Sequence, residues 1–164
     1  MKKFMCALLI GLSLAVPVFA GGFLSANDLA ADKLATSKTF DGFTVKATAD
    51  KGVTIETVDE VREAEDGEIF NVRIKLNGSG KADYRSVQFD GKQGETLTVY
   101  LNSGSKTDAR VLIVAKADGS VVSNLTAPPD SGVAGIASCK LPTTGTYVMY
   151  SKSSGINLYQ IIVE

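Results

Sequence analysis

From Phe43 onward the apolar residues fall in short runs, many alternating with polar ones, and each run is closed by Gly, Asn, Asp, Ser or Pro. A period of two, rich in β-branched and aromatic residues, is the pattern of a half-buried strand. Ten strands are predicted: Phe43–Ala47, Val53–Val58, Phe70–Leu76, Tyr84–Phe89, Thr96–Leu101, Arg110–Lys116, Val121–Leu125, Gly135–Leu141, Tyr147–Ser151 and Ile156–Val163. The breaks carry turn residues: Asp41-Gly42, Asn77-Gly78-Ser79-Gly80, Asp90-Gly91, Asp118-Gly119-Ser120, Pro128-Pro129 and Thr144-Gly145. Such residues supply the positive or fixed φ that a reversal needs. Helical periodicity is confined to a turn or two near Ser25–Leu34. Strands recurring at roughly 8–15 residues predict one all-β domain, an antiparallel β-sandwich of jelly-roll type.

Alternation also assigns faces. In Val72–Leu76 the aliphatic residues point inward and Arg73 and Lys75 outward; in Leu97–Leu101 the exception is Tyr100, which faces out. Val87 and Phe89 face in, leaving Ser86 and Gln88 outside. Val111–Ala115 is apolar at both parities and reads as a central strand covered on both sides. The predicted core is Ile74, Val87, Phe89, Leu97, Val99, Leu112, Val114, Val148 and Leu158.

The first twenty residues break this pattern. Lys2 and Lys3 precede a short apolar run from Phe4 to Val16, and Val18-Phe19-Ala20 is a small-residue cleavage site. That is a secretory signal over residues 1–20, with an apolar stretch too short to span ~30 Å of hydrocarbon comfortably. The division expected is a signal at 1–20, an N-terminal segment at 21–40 and the β-sandwich at 41–164. The product would be secreted, periplasmic or held at the cell surface, with no membrane contact once the signal is removed. Cleavage leaves one cysteine, Cys139, so no internal disulfide can form; sharing parity with Ala137 and Leu141, it reads as a small core residue.

Composition narrows the chemistry. Hydrophobic residues make up 45% and charged residues 21%, the balance of a globular chain rather than a disordered one. There is no His, which removes Ser-His-Asp and Cys-His catalysis and the commonest zinc ligand. No nucleophile elbow, P-loop, zincin helix or dinucleotide fingerprint occurs, so no enzyme is expected. The net charge of −1, more negative once Lys2 and Lys3 are lost, argues against nucleic acid as a partner. The charge is uneven. Glu56–Glu68 holds seven acids and one base, Arg62, whereas Ile69–Glu164 holds ten bases and seven acids. The acidic run reads as a solvated loop. A structural calcium is the sharper alternative, because hard cations need clustered oxygens, but the alternating Asp/Asn loop of an EF-hand is missing and no cofactor is expected.

The basic half interleaves Arg73, Lys75, Lys81, Arg85, Lys106, Arg110 and Lys152 with five tyrosines, Tyr84, Tyr100, Tyr147, Tyr150 and Tyr159. Guanidinium forks grip carboxylates bidentately and lysines add movable point charges. The chain has no Trp, so an anionic ligand suits this set better than a neutral sugar stacked on indole.

Four segments, RIKLNGSGKADYRSVQF (Arg73–Phe89), KTDARVLIVAKADGSVV (Lys106–Val122), GTYVMYSKSSGINLYQIIV (Gly145–Val163) and DGFTVKATADKGVTIE (Asp41–Glu56), extend this reading. They resemble the β-sandwich modules appended to secreted bacterial pectate lyases, the pectin-binding, family-77-like carbohydrate-binding modules. The resemblance implies a secreted, non-catalytic domain holding an acidic plant polysaccharide, pectin or homogalacturonan, on a basic surface formed by Lys75, Arg85, Lys106, Arg110 and Lys152. It also implies a separate polysaccharide-degrading enzyme as partner, since those modules ride on a catalytic chain. Asp83-Tyr84-Arg85-Ser86-Val87, Gly94–Val99 and Gly145-Thr146-Tyr147 also look like the small sandwich domains that end secreted peptidases. A structural or adhesive exported domain without a sugar ligand is the alternative.

Overall fold

A computed structural model describes residues 21–164; the expected secretory signal lies outside the described residues. Thirteen strands follow in order: Gly22–Ser25 (β1), Asp32–Leu34 (β2), Lys38–Phe40 (β3), Phe43–Lys46 (β4), Val53–Ala64 (β5), Ile69–Leu76 (β6), Ser86–Gly91 (β7), Thr96–Ser103 (β8), Arg110–Lys116 (β9), Val121–Ala127 (β10), Val133–Lys140 (β11), Gly145–Ser151 (β12) and Ile156–Val163 (β13). The helical turn foreseen after Ser25 is a single 3-10 turn, Ala26–Asp28, whose N-cap Ser25 accepts a hydrogen bond from the Asn27 amide. Residues 21–40 enter both sheets: β1 pairs with β13, β2 with β5 and β3 with β4.

One sheet runs β1-β13-β6-β5-β11-β8, with β2 on β5 and β8 returning to pair with β13. The other runs β10-β9-β12-β7-β4-β3. This is a β-sandwich, antiparallel throughout except where β11 meets β5 in parallel at Val133–Glu63 and Ala134–Ala64. That meeting depends on β5, whose register against β6 slips between Thr57 and Arg62. Such a bulge bends and twists a strand, and β5 thereby reaches across to β11 and closes the first sheet on itself.

Two apolar clusters result. The larger lies between the sheets and holds eight of the nine predicted core residues, with Phe43 and Tyr147 against Phe89 at centroid separations of 6.0 and 5.7 Å. The smaller fills the ring closed by β5, where Phe70 lies 5.3 Å from both Tyr100 and Tyr159. Aromatic pairs of this kind contribute roughly 0.5–1.5 kcal/mol beyond their buried area.

Several face assignments are corrected by this second layer of burial. Tyr100 does point away from the main core, yet it is buried in the smaller cluster and donates to Asp66 at 2.6 Å. Val148 is buried but lies outside the main cluster, because its neighbours Tyr147 and Met149 take the inward parity. Ser86 is buried under the preceding loop, where its hydroxyl donates to the Ala82 carbonyl. Val111 and Ile113 are only half-covered, so β9 is not sealed on both sides. The acidic run is strand rather than loop over most of its length, since its charges project from β5 while Val58 and Ala64 turn inward. Cys139 is a free, half-buried thiol against the main core; burial pushes its pKa up, with Ser123 opposing.

Candidate functional site

Four connections meet at one end of the sandwich: β6–β7, β8–β9, β10–β11 and β12–β13. Backbone hydrogen bonds lace them together. Gly80 donates to Ser151 at 2.9 Å, Gly104 to Gly155 at 2.8 Å, Ser103 to Pro128 at 2.7 Å, Asp130 to Ser105 at 2.8 Å and Lys152 to Val111 at 2.9 Å. The loops are thus a fixed platform, as a recognition surface needs if binding is not to order them first.

Two arginines are set into this platform. Arg110, at the start of β9, donates through Nη1 to the Gly155 carbonyl. A Cβ at Gly104 would stand 3.0 Å from that same nitrogen, so the glycine makes room for the guanidinium. Arg85 sits just before β7 rather than inside it, with φ of 46°. That left-handed backbone is unusual for a branched-free L-residue and costs on the order of 1 kcal/mol. Its guanidinium lies over Gly78, where a Cβ would approach Nη1 to 2.6 Å, and its Nε is buried without a partner. The turn moves the expected strand Tyr84–Phe89 two residues on, to Ser86–Gly91. Lys106 and Lys152 project from the loops and are exposed. Among the described residues, none of these four cations pairs with an acid; Lys75 does, reaching Glu56 at 3.3 Å.

Beside the platform, the face of the ring sheet that turns away from the main core forms a cleft. A cavity of about 200 Å³ is bounded by Lys75, Arg73, Asn157, Gly104 and Lys106, and opens toward a second of about 310 Å³ over Ser131 and Gly132. Asp59, Arg62, Lys106 and Asp130 border both. The five sequence-predicted residues therefore separate into two groups. Lys75 and Lys106 line the cleft, whereas Arg85, Arg110 and Lys152 belong to the loop platform next to it.

Arg62 is the residue that sequence reasoning passed over. It grips Asp130 through Nε at 2.7 Å and Nη2 at 3.1 Å, reaches Asp59 at 2.9 Å, and donates Nη1 to the Glu60 carbonyl. With side-chain exposures of 5% and 9%, Arg62 and Asp130 form a buried pair. A lone Arg inside seven acids was the available signal; the partner, in the β10–β11 connection, was not readable locally. Burial raises the Glu56 carboxyl, but Arg73 at 2.6 Å and Lys75 outweigh it and hold the group below its ordinary value. Asp59 is lowered mainly by its hydrogen bond from Arg62. Tyr100 is pushed up to about 12 by donating to Asp66 and by burial. These pairings account for three of the acids in the run Glu56–Glu68, and among the described residues no three acidic or cysteine side chains converge as a metal site would require. Nor can three of the five tyrosines serve as stacking platforms, since Tyr100, Tyr147 and Tyr159 are buried and Tyr84 and Tyr150 half-buried.

No protein-family model matches the chain, and no curated protein matches it. Solved structures do. A chain from work on how the Ruminococcus flavefaciens cellulosome reflects an expansion in glycan recognition aligns with a TM-score of 0.51 at 17% identity, covering 90% of this chain and 96% of that one. A family 35 carbohydrate-binding module from Clostridium thermocellum gives 0.45 at 14% identity, covering 88% and 97%. CsCBM6-3 from Clostridium stercorarium, solved with cellobiose, gives 0.44 at 12%, covering 89% and 93%. The first of these likenesses places the β-sandwich among known folds; at such identity it speaks of fold alone.

Proposed function

We propose that this protein is a non-catalytic carbohydrate-binding domain, exported by its N-terminal signal, whose ligand is an acidic polysaccharide such as pectin or homogalacturonan. One observation carries the reading: four cations without acid partners among the described residues, Arg85, Lys106, Arg110 and Lys152, sit on or beside laced loops next to a cleft that Lys75 and Lys106 share. Fixed guanidiniums and mobile ammoniums at a cleft edge match a row of carboxylates along a polymer. Exposed ion pairs contribute only ~0.2–1 kcal/mol each, whereas a millimolar to micromolar complex requires roughly −4 to −8 kcal/mol. Several contacts along the chain are therefore needed, which favours a polymer over a single sugar acid.

The test is isothermal titration with demethylated and methyl-esterified polygalacturonate at two salt concentrations. The demethylated polymer should bind better, and its affinity should fall as salt rises, because the Debye length is already ~8 Å at 0.15 M. Equal affinity for both polymers, or binding to neither, overturns the pectin reading and leaves the structural or adhesive role in front.

A further inference from the structure

The cleft floor contains neutral polar groups that charge matching does not explain. Asn157 is 1% exposed, borders the 200 Å³ cavity, and has a buried Oδ1 with no hydrogen-bond partner among the described residues. It stands in one cross-strand row between Lys75 on β6 and Asn102 on β8. Side chains directly opposite on neighbouring antiparallel strands have Cβ atoms ~4.5–5.5 Å apart, so Lys75 and Asn157 line the cavity side by side and Asn102 lies buried directly beside Asn157. Asn102 is fully buried and held in one orientation, its Nδ2 donating to the Val133 carbonyl at 2.9 Å, which leaves its own Oδ1 unpartnered. The Tyr159 hydroxyl, buried in the smaller cluster and facing Arg62, is a third buried oxygen without a hydrogen bond of normal geometry among the described residues. Burial pushes it up to about 12, so it remains a neutral hydroxyl.

A buried polar group without its hydrogen bond is destabilising, and native folds seldom carry three such groups together. A cation is a poor occupant here, because Arg62, Arg73, Lys75 and Lys106 border the cavity against two acids, Asp59 and Asp130, that Arg62 already engages. A neutral donor fits the unfilled acceptors.

We propose that Asn157, seconded by Asn102, is a hydroxyl-reading subsite of the cleft, so that the site selects a sugar ring bearing both a carboxylate and hydroxyl groups, a uronic acid residue, over a bare polyanion. This rests on the carbohydrate reading above. The carboxylate meets Lys75 and Lys106, and a ring hydroxyl donates to the Asn157 amide oxygen. The division of labour is physical: charge supplies long-range attraction and little selectivity among anions, whereas a short directional hydrogen bond distinguishes a polyol from a chain that has only carboxylates.

The experiment compares polygalacturonate with poly-L-glutamate of matched charge number, titrated into the protein at one salt concentration. The wild type should prefer polygalacturonate by about fivefold or more, the factor that ~1 kcal/mol corresponds to. Asn157→Ala should remove most of that preference while leaving poly-L-glutamate binding as it was. Equal wild-type affinity for the two polymers overturns the subsite even though it leaves anion binding standing. An unchanged preference in an Asn157→Ala protein that melts near the wild-type midpoint overturns it as well. Failure to bind polygalacturonate at all removes the carbohydrate reading and the subsite together. Should Asn157→Ala not fold, the wild-type comparison alone still decides.

Discussion

Arg62 and Arg110 are the same residue type on the same domain, and their surroundings differ in kind. Arg62 engages all three of its nitrogens inside the protein, clamped to Asp130, Asp59 and a backbone carbonyl. It joins the bulged arm of β5 to the β10–β11 connection and holds the ring sheet shut. Arg110 touches one carbonyl and no acid, and with Arg85, Lys106 and Lys152 it forms a group whose charge nothing in the described residues neutralises. Cations on the strands of the ring sheet answer to folding; cations on the loops are left over for something else. Lys75 and Lys106 stand where the two groups meet, one paired with Glu56 and one not. The contrast shows why a count of basic residues could not delimit the site.

The largest test of that contrast is Arg62→Ala, which strands Asp130 as a buried charge. Breaking one side of a buried pair costs about 3–5 kcal/mol, to be read from urea denaturation. The double variant Arg62→Met, Asp130→Leu should regain much of it, and a single-variant loss below about 1 kcal/mol would place Arg62 with the surface cations. Next is Arg110→Ala. It should weaken polygalacturonate binding by up to about tenfold, or ~1.4 kcal/mol, with the thermal midpoint near wild type. Arg110→Lys should restore only part of the affinity, since the charge returns without the fork. A midpoint that falls together with affinity would instead make Arg110 a structural residue like Arg62.

Lys106→Ala should lower affinity by a factor of about two to five, within the ~1 kcal/mol of an exposed pair, and flatten its salt dependence, while stability moves by less than about 0.5 kcal/mol. The smallest effect concerns pH. Glu56 has a folded pKa lowered from its ordinary 4.5, so its contribution is complete above that value and is lost as pH falls through the lower, folded value. Its side chain is 33% exposed, so screening keeps the effect well under about 1 kcal/mol. A urea series from pH 6 to 3 should show Glu56→Gln losing less stability over this window than wild type; parallel curves would remove the Arg73–Glu56 pair from the ledger of strand-side charges.

All ten strands read from the hydrophobic pattern are present, because period-two burial and turn chemistry act within a few residues. What was missed has a common cause. The three strands of residues 21–40 are three or four residues long; in Lys38-Thr39-Phe40 the polar residues leave little alternation, and its partner strand supplies the order. The acidic run looked like a loop because its charges hide the inward Val58 and Ala64, and because nothing nearby announces that β5 will curl. Tyr100 read as outward-facing since the alternation that puts it off the main core cannot know that a second core, shared with Tyr159, waits on the other side.

By itself, then, the sequence determined the class of fold, ten of the thirteen strands and most of the inter-sheet core, together with the list of basic residues. The tertiary structure alone decided which charges are spare. Arg62 meets Asp130 from 68 positions away, and Asn157 comes between Lys75 and Asn102 only when three strands align. Neutralisation and hydrogen bonding act over a few ångströms of space, and no local pattern in the chain encodes which distant residues the sheets bring within that range.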